Sequence, residues 1–298
     1  MLSTKARCSR ASDDGANICM VMARAIGSIK GAVKNPVAAS ARPGASLDAV
    51  ELEGWRFHEY PVVGSTNLVA ASFIAWEAVR ADRQTAGRGR FQRNWVSDEG
   101  GLWLSAVVPT DAEGRARRTL PIAVGLAVCD TLRALGVKPL RMRWPNDLLV
   151  NDRKLAGLLI DQFAPGLAVV GIGINVLNQP EAADPTLKNQ TTRLAELVSM
   201  PPSVHDLAGL VLKNLRGVID ELAAGDFRAL PPRVSELWGQ PRRVELDLDG
   251  KIRCGEFRGI DSEGRLILSD ESGNGTAFDP WQVRHLKEIS SGNDVRRQ

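Results

Sequence analysis

The apolar pattern of the chain changes at Pro231-Pro232, and no other feature constrains the fold as much. Upstream, helical spacing and strand-like runs are interleaved. Downstream, RVELDLDGKIR (243–253) alternates Val244, Leu246 and Leu248 with acidic residues, turns at Asp249-Gly250, and is followed by the strand-like GRLILSD (264–270). Alternation with a period of two and Asp-Gly turns are the marks of short antiparallel strands. The chain is therefore expected to be α+β, with a larger unit over 50–236, a small all-β unit over 237–298, and a disordered extension over 1–49. There are no internal repeats.

Within the larger unit, STNLVAASFIAWEAVR (65–80) predicts a helix with Thr66 as N-cap and Leu68, Ala71, Ala75 and Val79 on one face. LWLSAVV (102–108) reads as a strand. A helix is expected from Thr119, with Pro121 in its first turn and Ile122, Leu126, Cys129 and Leu132 aligned. AVVGIGINV (168–176) is an apolar strand whose glycines let something approach the backbone. SVHDLAGLVLKNLRGVIDELAAG (203–225) begins with a capping box, Ser203 and Asp206, and stops at Gly225.

Charge narrows the function classes. Seven of the 38 basic residues and two of the 35 acidic ones lie in 1–47, which leaves 31 and 33 for the remainder. A nucleic-acid binder needs a basic face across its folded part, so none is expected as partner. No apolar run reaches the roughly 18 residues of a membrane span, so no membrane association is expected. Cys8, Cys19, Cys129 and Cys254 are scattered without metal-ligand spacing, which suggests a reducing, cytoplasmic setting and no protein-held metal. Residues 1–47 read as a disordered tail, an organelle transit peptide or a misassigned start. They are too few for a winged helix, so operator binding is not expected.

Two stretches carry chemistry. In RQTAGRGRFQRNW (83–95), Gly87 and Gly89 allow close backbone approach while Arg88, Arg90 and Arg93 surround the opening with charge. Alone, such a loop reads as a solvated basic turn, because short Gly/Arg loops are common. In RWPNDLLVNDRKLAGLLID (143–161), the Pro145-Asn146 turn presents Asp147, and Asn151-Asp152 sends the chain back through Lys154 into an apolar strand. Taken alone, Lys154 would snorkel to solvent and Asp147 would cap its own turn. On one chain with an Arg/Gly loop and a glycine-broken strand ending in Asn175, a shared anion site is the better reading.

These four motifs, STN, RQTAGRGRFQRNW, RWPNDLLVNDRKLAGLLID and GIGINV, in this order from about residue 55 to 290, resemble the biotin protein ligase family. The resemblance implies a class II synthetase-like catalytic domain, a central mixed β-sheet backed by helices of the kind shared with lipoate ligases, and a C-terminal SH3-like barrel. It also implies the chemistry: biotin and ATP react to biotinyl-5′-AMP, and a lysine of a biotin carboxyl carrier protein, a domain of a biotin-dependent carboxylase, receives the biotinyl group. Lys154, Arg90 and Asp147 would be catalytic. Lys154 would bridge carboxylate and α-phosphate, and Asp147 would either organise substrate-borne Mg2+ or help deprotonate the acceptor amine. Ser65, Thr66, Asn67, Gln84, Gly87, Arg88, Arg90 and Lys154 would hold biotin, and Arg90, Arg93, Trp95, Asn146 and Asn175 the nucleotide. Trp95 reads either as an adenine platform or as a plain core aromatic.

The loop departs from the family pattern at Phe91-Gln92, where Arg-Gly is usual, and Arg143 replaces a frequent Lys. A lipoate ligase or octanoyl transferase is the rival enzyme reading, and a nucleic-acid-binding module the rival from another class. The expected oligomeric state is monomer or homodimer.

Overall fold

The computed structural model describes residues 49–110, 116–224, 227, 230–239 and 242–289, so the expected extension lies almost wholly outside them. The first strands, β1 (Val50–Leu52) and β2 (Trp55–Val63), meet at a tight turn where Glu53 and Gly54 both have positive φ. β2 then pairs in parallel with β3 (Glu77–Gln84), the short helix α1 (Thr66–Ala70) lying in the crossover.

The expected helix over 66–79 is thus cut to five residues, and its N-cap is Ser65 rather than Thr66. Strand pairing outweighs the local helical spacing here. Val79, placed on the helical face by that spacing, is instead buried in β3 opposite His58, and Trp76 turns the chain with φ +71. Its N–H donates to the carbonyl of Val107 and its own carbonyl accepts from Arg56.

Antiparallel pairing extends the sheet through β4 (Leu102–Pro109), β8 (Leu167–Ile174), β7 (Arg153–Ala164), β6 (Asp147–Val150) and β5 (Leu140–Arg143). The eight-stranded order is β1-β2-β3-β4-β8-β7-β6-β5, the expected mixed sheet. Asn151 and Asp152, at φ 49° and 59°, make the β6–β7 turn with the left-handed pair that matches strand twist.

Successive side chains point to opposite faces, so this register sorts the sheet. Leu102, Leu104, Ala106, Val170, Ile172 and Ile174 share one continuous core with α2 (Ala116–Ala134) and, beyond the single-turn α3 (Pro180–Ala183), with α4 (Val204–Ala223). The other face carries Ser105, Gly157, Gly171 and Gly173, facing one another across β4, β8 and β7. A hollow forms where side chains are small.

α2 begins at Ala116, not Thr119, which puts Pro121 inside the helix. The N–H it lacks would have bonded the carbonyl of residue 117, so the cost falls on one bond near the helix start. α4 is capped as expected, Ser203 Oγ accepting from the N–H of Asp206 at 3.1 Å. Gly225, the expected stop, lies outside the described residues.

Pro231-Pro232 opens a further helix, α5 (Leu230–Trp238), where proline suits the first turn. The expected division at 236/237 falls inside this helix. A second, wholly antiparallel sheet follows: β9 (Arg242–Leu248), β10 (Lys251–Ile260), β11 (Leu266–Ser269), β12 (Gly275–Phe278) and β13 (His285–Ile289), in the order β12-β11-β10-β9-β13. Val244, Leu246, Phe257 and Leu266 continue the core of the large sheet. Trp238 stacks on Phe257 at 3.9 Å, and Trp144 Nε1 donates to the carbonyl of Gly264 at 3.1 Å. Arg141 grips both carboxylate oxygens of Glu288 at 3.0 Å. No helix among the described residues is long and apolar enough to cross a membrane.

Candidate active site

Between the glycine-lined face and the second sheet lies a cavity of about 320 Å³. The Gly/Arg loop forms one wall. It leaves β3 at Gln84 and closes on itself: Trp95 N–H donates to Gly87 O at 3.0 Å and Gly89 N–H to Arg93 O at 2.8 Å. Residues 90–92 make one turn in which Phe91 (φ 54°) and Gln92 (φ 59°) both take the left-handed conformation. The Phe91-Gln92 pair therefore holds a backbone shape that glycine would adopt freely, at a cost of about 1–2 kcal/mol for each non-glycine residue.

The arginines of this wall reach across to the second sheet. Arg90 donates to Asn146 Oδ1 at 3.3 Å, to Val283 O at 3.0 Å and to the carbonyl of Pro280. Burial lowers its pKa to about 10, against the raising influence of Asp147, so it stays a cation at neutral pH. Arg93 donates to Arg284 O at 3.4 Å. The Phe91 ring has the guanidinium of Arg90 at 4.9 Å and that of Arg284 at 5.5 Å.

The β6–β7 hairpin supplies the second wall, and here Lys154 turns inward instead of snorkelling. Its Nζ lies 2.6 Å from Asp147 Oδ1, while Arg143 holds Oδ2 at 2.7 Å. Burial pushes the Asp147 carboxyl up, but Lys154 and Arg143 outweigh it and leave its pKa below the ordinary value. Asp147 thus carries its charge into a place that would otherwise exclude it. The neighbouring Asn146 fastens the turn to β7, donating to Leu158 O at 3.0 Å.

Asn175 follows β8, buried, with its amide spent locally. It donates to Thr192 O at 3.1 Å and Lys154 O at 3.4 Å and accepts from Asn178 Nδ2 at 3.0 Å. That geometry anchors the strand bearing Lys154; a contact to an adenine edge would have to share its oxygen.

Trp95 lies over the glycine floor. A Cβ added at Gly157 or Gly173 would come within 2.8 Å of its indole, and Lys154 Nζ is 4.8 Å from its ring. Its Nε1 is buried and finds no acceptor among the described residues.

The closed end of the cavity is polar. Ser65, Thr66 and Asn67 at the start of α1 are all buried, and Thr66 N–H donates to Gln84 Oε1 at 2.8 Å. Gln84 Nε2 donates to Ser97 Oγ at 2.9 Å, which in turn donates to Trp95 O at 2.9 Å. Arg88 borders this end, 3.6 Å from Asp161.

The structure therefore brings together every residue singled out from the sequence except Gly87. Gly87 does not line the cavity; a Cβ there would strike Ser97 Oγ and Trp95 O at 2.3 Å, so its need for glycine is one of packing. Sequence reasoning missed the Val283–Leu286 stretch, which lines the cavity, and Ser105 and Asp161, which stand behind Thr66 and Asn67 without lining it. Ser105 was detectable as the one polar residue in LWLSAVV; the other two are brought in by tertiary contacts.

Comparison with known proteins gives this arrangement a family. The biotin—[acetyl-CoA-carboxylase] ligase of Mycobacterium tuberculosis is 34% identical over 259 residues, covering 78% of this chain and 91% of that protein. This chain belongs to the biotin protein ligase family. Residues 75–176 match the biotin/lipoate A/B protein ligase family, and residues 239–293 the biotin protein ligase C terminal domain. The bifunctional ligase/repressor BirA of Escherichia coli is 29% identical over 78% of this chain and 73% of its own length. Among solved structures, a biotin protein ligase from Aquifex aeolicus in complex with biotin and ATP superposes with a TM-score of 0.70 at 26% identity, over 78% of this chain and 99% of that one. The α+β fold with an antiparallel C-terminal unit is the family's, and the chain is a biotin ligase.

Proposed function

We propose that the cavity activates biotin with ATP and passes it to a lysine of a biotin carboxyl carrier protein. In the first step a biotin carboxylate oxygen attacks the α-phosphorus, the bond to the departing pyrophosphate breaks, and biotinyl-5′-AMP remains. In the second the carrier's amine attacks the anhydride carbonyl, AMP leaves, and the amine gives up a proton. The observation that carries this reading is one cavity holding Lys154, Arg90 and Arg93 at one end and, at the other, a hydrogen-bonding pocket of Ser65, Thr66, Asn67 and Gln84 bordered by Arg88.

Both steps concentrate negative charge on phosphate and carboxylate oxygens. Positioned cations that meet such charge are commonly worth about 10²–10³ in rate each. Lys154 bridges carboxylate and α-phosphate in this reading, with Arg90 on the carboxylate side and Arg93 on a phosphate oxygen. Trp95 offers its ring to the nucleotide, and Ser65, Thr66, Asn67 and Gln84 hold the biotin head with Arg88 at its border. Magnesium enters with the nucleotide, because both Asp147 oxygens already face cations. With Lys154 and Arg143 holding it ionised, Asp147 fixes the bridging ammonium in place.

The name of the Mycobacterium tuberculosis relative points to acetyl-CoA carboxylase as the source of the carrier. Pyrophosphate exchange into ATP, run in parallel with biotin, lipoate and octanoate, tests the first step. Exchange with biotin alone is the expected result. Exchange with lipoate but not biotin would overturn the reading.

A further inference from the structure

Asp161, near the end of β7, touches no position assigned to the reacting groups, yet it meets Asn67 and Arg88 at the closed end of the cavity. Its Oδ2 accepts from Asn67 Nδ2 at 3.0 Å and lies 3.6 Å from Arg88 Nη1. An ionised carboxylate only accepts, so the Asn67 amide must present nitrogen to Asp161 and turn its oxygen away.

That oxygen lies 2.6 Å from Ser105 Oγ, and a carbonyl oxygen also only accepts. The single Ser105 proton is therefore committed to Asn67. Ser105 Oγ is also 2.7 Å from Thr66 Oγ1, so the Thr66 proton must point to Ser105 rather than to Gln84 Oε1, the more distant neighbour at 3.1 Å. Gln84 Oε1 keeps the Thr66 backbone N–H as its donor. The outcome is directional: Thr66, which lines the cavity, is left with lone pairs and no proton to offer a ligand.

We infer that Asp161 is a positioning residue that sets the hydrogen-bond polarity of the biotin pocket through Asn67 and Ser105, making Thr66 an acceptor for a ligand N–H. A neutral cyclic urea supplies such an N–H, whereas a lipoyl or octanoyl chain has none. The inference rests on the biotin reading above and explains how that reading discriminates among acids. Without Asp161 the Asn67 amide keeps only the Leu159 carbonyl, at 3.5 Å, to hold its orientation; once it reverses, Ser105 turns its proton toward Thr66, which passes its own to Gln84 Oε1 and has one lone pair fewer for the ligand N–H.

The test is Asp161→Asn, with Ser105→Ala as an independent break in the same relay, measured by biotin- and ATP-dependent pyrophosphate exchange alongside thermal melting. The expected result for both is a KM for biotin raised at least tenfold, with kcat and the KM for ATP within threefold of the parent. Asp161→Glu, which keeps an obligate acceptor, is expected to recover most of the biotin KM. A biotin KM within threefold of the parent in either of the first two variants overturns the inference while the biotin reading stands. Equal losses in kcat and both KM values overturn it too, because they would mark a general structural role. If Asp161→Asn fails to fold, Ser105→Ala alone decides. A parent enzyme without biotin-dependent exchange would sink the biotin reading and this inference together.

Discussion

Replacing Lys154 by Met removes the ammonium and keeps most of the side chain's volume, so the structure allows its effects on stability and rate to be separated. At 2.6 Å and an effective dielectric near 20, the Lys154–Asp147 attraction is about 6 kcal/mol before desolvation. Desolvation offsets most of that, and Arg143 remains 2.7 Å from the other carboxylate oxygen, so Asp147 is not left bare. The net loss should be that of one charge-assisted hydrogen bond, about 1–3 kcal/mol. For a folded part of this size that is a fall in Tm of about 2–10 °C. The rate effect is separate. Adenylate formation, followed by pyrophosphate exchange at saturating biotin and ATP and at 20 °C, is expected to fall by about 10²–10³ while the chain is still folded. A variant that melts earlier yet exchanges within threefold of the parent would show that Lys154 only neutralises Asp147, and the bridging role would be refuted.

The same pair sets a pH dependence. The folded-state pKa of Asp147 is depressed, so its contribution to stability is fully present above the unfolded value of about 3.9 and is lost as pH falls through the folded value. In Lys154→Met the folded value moves back toward the unfolded one, so the loss of stability on acidification is expected to be smaller than in the parent, which melting curves across pH 2–7 would reveal and which equal losses would contradict. Gly171→Ala would put a Cβ 2.3 Å from Asn67 Oδ1, so a cost of about 1–3 kcal/mol and a raised KM for biotin are expected, with unchanged biotin kinetics as the contrary result. Arg90→Ala removes the bonds to Asn146, Pro280 and Val283, and faster release of the adenylate should accompany faster amide exchange over 280–284. Gln92→Gly relieves a left-handed residue worth about 1–2 kcal/mol against a glycine entropy cost of about 0.5–1 kcal/mol. It should raise Tm slightly, and a clear fall would count against strain at that turn.

Legibility in the sequence followed the range of the interactions. That Asp147 and Lys154 belong to one site was readable because Asn151-Asp152 folds the hairpin locally, though their direct pairing at 2.6 Å was not foreseen. The Gly/Arg loop and the GIGI strand were readable because close approach leaves glycine as its trace. β3 was misread because Ala75 and Val79 fit a helical face, while the force that extends Val79, pairing with β2, comes from residues some twenty positions earlier. Asp161 gave no local sign at all, since its partner Asn67 lies 94 positions away. The C-terminal wall was equally silent: Arg90 and Val283 are 193 positions apart, and no periodicity reports such a meeting.

The boundary between Trp238, which ends α5, and the second sheet suits a cut for a physical reason. Trp238 on one side and Phe257 on the other stack across it, and the core runs through without interruption. Chains cut at this seam would each carry a raw apolar face, unable to shield it alone and shaped to fit the other. The seam therefore suits fragment complementation, two halves that regain a working cavity only when they meet, and it makes exchange of the C-terminal unit between distant relatives a poor graft.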